Sequence, residues 1–350
     1  MMIRFAYITN RKFLLHFLMV GTQLSGSCSR SVIQQLDITI PASPKDITQE
    51  YTEFFLFDSI RVVLDIPEKY DRGNSAGRPL LIYALPNGNS IEWTMGKQMS
   101  QTGDWHYDIQ HIDAQIKWLR MVKKADFILA YLEAPKLSWP AWKRSHTDRQ
   151  EIIVSLIDTL KVMTHAENVV LSSHSGGGSL INGFIESTDQ IPDWVKRIVF
   201  IDSNYGYDTA IGAKLSEWIK ADSDRHLSVF AYNDSIALYE GKSFVSPTGG
   251  TWYRSKMMLN ELMLNHTFVK TEDENLIKNR SADNQIIVIL KKNPDRKIYH
   301  TQQVELNGFI HSFLFATEEE EQGYSYFGER CYGEFVSETT PVFVSLAGDH

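Results

Sequence analysis

The sequence predicts an α/β fold with a mostly parallel central sheet covered by helices. Two observations carry this. From residue 79 onward, short and continuously apolar runs alternate with segments of helical period, the pattern of βαβ units. One of these runs, Val169-Val170-Leu171, leads through Ser172-Ser173-His174-Ser175 into three glycines and a helix-like segment from Leu180 to Glu186. A strand, a glycine-tight turn and a helix place a serine on a strained corner, with its hydroxyl clear of the sheet edge.

Taken in order, Glu53–Phe57 and Ile60–Pro67 read as a strand pair. Pro79–Pro86 is an unbroken apolar run bounded by turn residues, as expected for a strand buried on both faces. Ile112, Ile116 and Leu119 set a helix over about Asp108 to Lys123. Phe127–Leu132 is the next buried strand. Ile153, Ile157 and Leu160 mark a helix opened by a Thr147/Gln150 capping box. After the serine turn come a strand at Arg197–Ile201, a helix near Ala213–Ala221, a strand at His226–Tyr232 and a helix from Thr251 to Leu264. Gln285–Leu290 and Lys297–Glu305 read as late strands, and a final helix runs from Phe309 toward Glu319. Gly206 to His226 is too short for a large cap domain, while Ser235 to Asn284 leaves room for a small lid.

Composition narrows the function classes. The formal charge is −8, which argues against a nucleic-acid partner, because phosphate binding needs a basic surface. At 43% hydrophobic and 22% charged residues, the 350-residue chain is globular in composition. The first residues differ. Arg4, Arg11 and Lys12 precede the apolar run Phe13–Val20, and small residues follow up to Cys28. A basic, then apolar, then small-residue order describes a secretory signal over residues 1–28. Cys28 after Leu24-Ser25-Gly26-Ser27 resembles a lipobox, although Ser25 stands where Leu, Val or Ala is usual. Lipidation there would hold the protein at a periplasmic or cell-surface membrane. Plain secretion, with Cys28 oxidised to Cys331, is the alternative. Residues 29–48 read as a tether and 49–350 as the folded domain.

Ligands of such sheets sit at the carboxyl ends of the strands. Ser175 lies there as a candidate nucleophile. A base and a carboxylate should follow it. His311 is the expected base, beyond the turn Asn307-Gly308, whereas His300 falls inside the expected last strand. Asp234, just past Tyr232, is the expected acid, with Asp202, just past Ile201, as runner-up. An oxyanion needs two preorganised donors. The Gly176 amide is one, and Asn87, Gly88 or Asn89 should supply the other. Trp93, Trp105, His106, Trp139 and Trp142 follow strand ends and are candidate pocket walls. No pair of histidines has the helical spacing of a metal site such as H-E-x-x-H, so no metal is expected.

These positions together resemble the α/β-hydrolase superfamily, over about Phe54 to Leu314. The order Ser175, Asp234, His311 is the order of that superfamily, and Ser173 departs from its pattern by standing where glycine is usual. The resemblance implies an eight-stranded, mostly parallel sheet and cofactor-free hydrolysis through an acyl-enzyme. It also keeps Asp202 open, because some members carry the acid one strand earlier. The expectation is therefore an exported serine hydrolase acting on carboxylic esters, either small molecules or acylated carbohydrate. An amidase or peptidase would use the same residues, and an inactive surface-tethered binding protein would keep the scaffold alone.

Overall fold

The structure is a computed structural model that describes residues 51–57, 59–67, 78–98 and 110–346. Residues 1–50, and with them the expected signal, Cys28 and most of the tether, lie outside the described residues, as do Trp105 and His106.

The chain opens with β1 (Tyr51–Leu56) and β2 (Ile60–Asp65), an antiparallel pair. Then come β3 (Leu80–Ala84), α1 (Ile91–Met95), α2 (Ile112–Val122), β4 (Ile128–Glu133), α3 (Trp139–Ser145) and α4 (Arg149–Met163). The central units are β5 (Val169–His174), α5 (Gly178–Ser187), β6 (Val195–Ile201), α6 (Thr209–Ala221) and β7 (His226–Tyr232). A two-residue ribbon, β8 (Leu238–Tyr239) with β9 (Lys242–Ser243), precedes α7 (Gly250–Leu262). Then follow β10 (Phe268–Glu272), β11 (Leu276–Ser281), β12 (Ile286–Lys291), α8 (Gln302–Glu305), α9 (Gly308–Leu314) and β13 (Phe343–Ser345).

Eleven strands form one sheet in the order β10-β11-β12-β7-β6-β5-β3-β4-β2-β1-β13. The six from β12 to β4 are mutually parallel. The unbroken apolar runs of β3, β4 and β12, Leu80–Ala84, Ile128–Leu132 and Ile286–Leu290, reflect cover on both faces. In β3, Leu80, Ile82 and Ala84 join the core beneath α3–α7, while Leu81 and Tyr83 join the opposite core beneath α1, α2 and α9. In β5, Val169 and Leu171 split from Val170 in the same period-two way.

Several expectations are corrected. The sheet has eleven strands rather than about eight, because residues 268–281 add β10 and β11 at one edge, where a lid was expected, and residues 343–345 add β13 at the other. The expected strand Lys297–Glu305 is a loop followed by α8. Asn293 and Arg296 take left-handed backbone, and the Asn293 side chain satisfies Lys297 from both sides, accepting from its amide at 3.0 Å and donating to its carbonyl at 2.8 Å. No ladder is left for that segment to join. Helix α4 begins after Asp148 and has no side-chain cap, so the Thr147/Gln150 box does not form.

Candidate active site

The register of the parallel strands brings their carboxyl ends level. Ala84 of β3 lies opposite Ser173 of β5, His174 opposite Ile201 of β6, and Ile201 opposite Phe230 of β7. The residues that follow these ends, Asn87, Ser175 and Asp202, therefore converge on one edge of the sheet.

Ser175 has φ +52°, a left-handed conformation that costs a residue with a β-carbon roughly 1–3 kcal/mol. The glycines after it are required by close approach. A β-carbon on Gly176 would collide with the Asn87 side chain, and one on Gly178 with the Ser203 carbonyl. Ser173, where a glycine was usual, is buried. Its hydroxyl meets the Ser203 hydroxyl at 2.8 Å and donates to the Val199 carbonyl at 3.3 Å. Its small polar side chain thereby ties β5 to β6 beneath the turn.

Asp202, also left-handed at φ +46°, is fully buried at the end of β6. Its Oδ2 lies 2.5 Å from Nδ1 of His300, and its Oδ1 accepts a short hydrogen bond from the Thr251 hydroxyl. His300 sits in the loop after β12 with its side chain 24% exposed. Its ring is 4.6 Å from that of His174 and edge-on to Tyr205 at 6.5 Å. His174 also pairs through Nε2 with the His300 carbonyl at 3.1 Å. A carbonyl only accepts, so the proton of His174 is on Nε2. Burial, and then neighbouring His300, hold His174 far below the usual imidazole range, so it is neutral.

The expected pair His311 and Asp234 is not brought together. His311 lies on α9, which packs against the opposite core. The end of that helix is fastened to the starting end of β6, where Arg197 donates to the Ser312 and Phe315 carbonyls at 3.1 and 2.9 Å. His311 is buried among Phe230, Tyr324 and Tyr326, contacts the Tyr324 hydroxyl at 3.2 Å through Nδ1, and is pushed down to about 4 by burial. Asp234 accepts from the Thr251 amide at 2.8 Å and so fastens the start of α7. Burial first, then the Asp202 charge, raise its carboxyl to about 6.

Other site expectations also shift. The Gly88 amide is taken by the Leu137 carbonyl at 2.9 Å, so it is no oxyanion donor. Asn87 stays against Gly176. Trp139 and Trp142 are core residues, buried edge to face at 5.7 Å, with the Trp139 indole donating to the Leu132 carbonyl. Trp93 is half-buried on α1 and does not line the cleft at Ser175. Cys331 is half-buried, and burial raises its thiol to about 12. Among the described residues, no group of three or more His, Cys, Asp or Glu side chains is disposed to hold a metal ion.

The cleft over the turn encloses about 440 Å³, with Ser175, Gly176, Asn87, Asn182 and Tyr205 in its walls. His300, the partner of Asp202, was not among the sequence candidates. Asn293-Pro294-Asp295 after the apolar run Gln285–Leu290 is a turn signal that places His300 beyond a strand end.

No family model matches the sequence, and no curated protein matches it. Among solved structures the chain is similar to a thermostable esterase, at 13% identity and TM-score 0.44, covering 73% of this chain and spanning 59% of that one. It is also similar to a predicted CIB-like hydrolase from Thermoplasma acidophilum, at 11% identity and TM-score 0.40, covering 75% and 95%. A carboxylesterase from Bacillus subtilis follows, at 11% identity and TM-score 0.37, covering 77% and 92%. The strand order and the left-handed serine turn between β5 and α5, with strand-end residues gathered beside it, give this chain the α/β-hydrolase fold.

Proposed function

We propose that the protein is a serine hydrolase acting on carboxylic esters, with Ser175 as nucleophile, His300 as base and Asp202 as the carboxylate that orients it. The observation that carries this reading is the 2.5 Å Asp202–His300 pair beside a left-handed serine turn. With Nδ1 held by Asp202, the free nitrogen Nε2 takes the Ser175 proton as Oγ attacks the ester carbonyl. The Gly176 amide and Asn87 stabilise the resulting oxyanion. His300 then returns the proton to the departing alcohol, and water hydrolyses the acyl-enzyme by the same route. Asp202 stabilises the imidazolium formed in each half-reaction. Export through residues 1–28, with Cys28 as anchor, is part of the proposal and rests on the sequence pattern alone.

Labelling with a fluorophosphonate tests the reading. The native protein is expected to form a covalent adduct that Ser175→Ala abolishes. An unlabelled native protein would contradict the hydrolase assignment.

A further inference from the structure

Helix α5 leaves the serine turn and presents Ser179 and Asn182, three residues apart and so on one face, to the cleft that holds Ser175. The rest of its buried surface is apolar, through Leu180, Ile181, Phe184 and Ile185. Asn182 is the exception. It is only 1% exposed, yet neither its Nδ2 nor its Oδ1 has a hydrogen-bond partner among the described residues. A buried carboxamide left unpaired at both ends is costly, and a leucine of similar shape would avoid the cost. Across the cleft stands Gly206, where a β-carbon would come within 2.9 Å of the Asn182 nitrogen. Glycine at 206 therefore packs close to the carboxamide without setting a side chain against it. Lys143, held at 2.7 Å by Glu186, adds a polar wall beside it.

We infer that Asn182 is the specificity determinant of a polar subsite, one that reads a hydroxyl group on the substrate ester. A hydroxyl donates and accepts through one atom, so it can satisfy both ends of the carboxamide, which a hydrocarbon of the same size cannot. Sites that hydrogen-bond a substrate hydroxyl discriminate strongly against the analogue lacking it, because the buried polar group is then stranded. The substrate class is therefore a hydroxylated ester, such as that of a hydroxy acid or a polyol. This inference rests on the hydrolase reading above.

Two matched pairs of esters test it: p-nitrophenyl glycolate against p-nitrophenyl propionate for the acyl side, and 2-hydroxyethyl acetate against propyl acetate for the alcohol side. In the native protein one pair is expected to show at least about tenfold higher kcat/KM for the hydroxylated member. Asn182→Leu is expected to bring that ratio to about one. Gly206→Ala, which sets a methyl against the carboxamide nitrogen, lowers the same ratio and serves if the first variant does not fold. A native protein that labels with fluorophosphonate but favours neither hydroxylated ester overturns this inference and leaves the hydrolase reading standing. So does a ratio that persists in both variants. A native protein that does not label removes the hydrolase reading and the subsite with it.

Discussion

Asp202 and His300 stand 98 positions apart in the chain, and their side chains meet at 2.5 Å. β6, which carries Asp202, pairs directly with β5, which carries the serine turn, whereas Asp234 follows β7, one strand further out. The nearer carboxylate is the one that holds the imidazole. Asp202→Asn would present the wrong tautomer to Ser175, so kcat is expected to fall by roughly 10⁴. Asp234→Asn leaves that pair intact and should cost less than about tenfold. Steady-state kinetics on a short-chain ester decide, and the reverse ranking would move the acid to Asp234.

Asp234 has a different signature. Burial and the Asp202 charge raise its carboxyl to about 6. A folded value above the unfolded one means that the proton is bound more tightly in the native state. Its stabilising contribution is complete below about pH 4 and is lost as pH rises through about 6. Urea melts between pH 4 and 7 should show the native protein losing on the order of 2 kcal/mol relative to Asp234→Asn over that window. Parallel profiles would contradict the shared burial of the two carboxylates.

In the proposed triad, His174 would act as a positioning residue through His300. Its Nε2–H holds the His300 carbonyl at 3.1 Å, and the two rings lie 4.6 Å apart. Removing that donor should let the loop drift, and small misplacements of a catalytic group are expensive. His174→Leu is expected to lower kcat by about 10–100-fold with KM little changed. His174→Gln, which keeps a donor, should recover part of the loss. A purely structural role would predict a fall in melting temperature for both variants without this split.

The architecture was legible because it is written in period and run length. β3 is apolar throughout, β4 and β12 are apolar up to their last residue and β5 over Val169–Leu171, as strands covered on both faces tend to be, and the turn around Ser175 is held in shape by glycines that nothing larger could replace. The strand-end filter singled out Ser175, Gly176, Asn87 and Asp202, and the structure places them at one edge of the sheet. The filter passed over His300 because β propensity in Lys297–Glu305 imitates a strand. What ends the sheet there is the Asn293 side chain claiming the Lys297 backbone, a tertiary event with no periodic signal. His311 was attractive for a related reason. Its place after a glycine turn is visible in sequence, but the anchoring of α9 by Arg197 at the far end of β6 is not. The choice between Asp202 and Asp234 likewise depends on which strand end the His300 loop overlies, which spacing along the chain does not encode. Trp139 and Trp142 follow a strand end as pocket residues would, yet they pack inward against each other.

In the proposed mechanism Ser175 is activated by His300 held on Asp202. The most direct measurement is the rate of fluorophosphonate labelling at Ser175, read by mass spectrometry of the modified peptide, for the native protein, His300→Gln and His311→Phe. An adduct on Ser175 is expected in the native protein, with near-native labelling in His311→Phe and labelling slowed by at least about 10³ in His300→Gln. Labelling that survives in His300→Gln and fails in folded His311→Phe would contradict this mechanism.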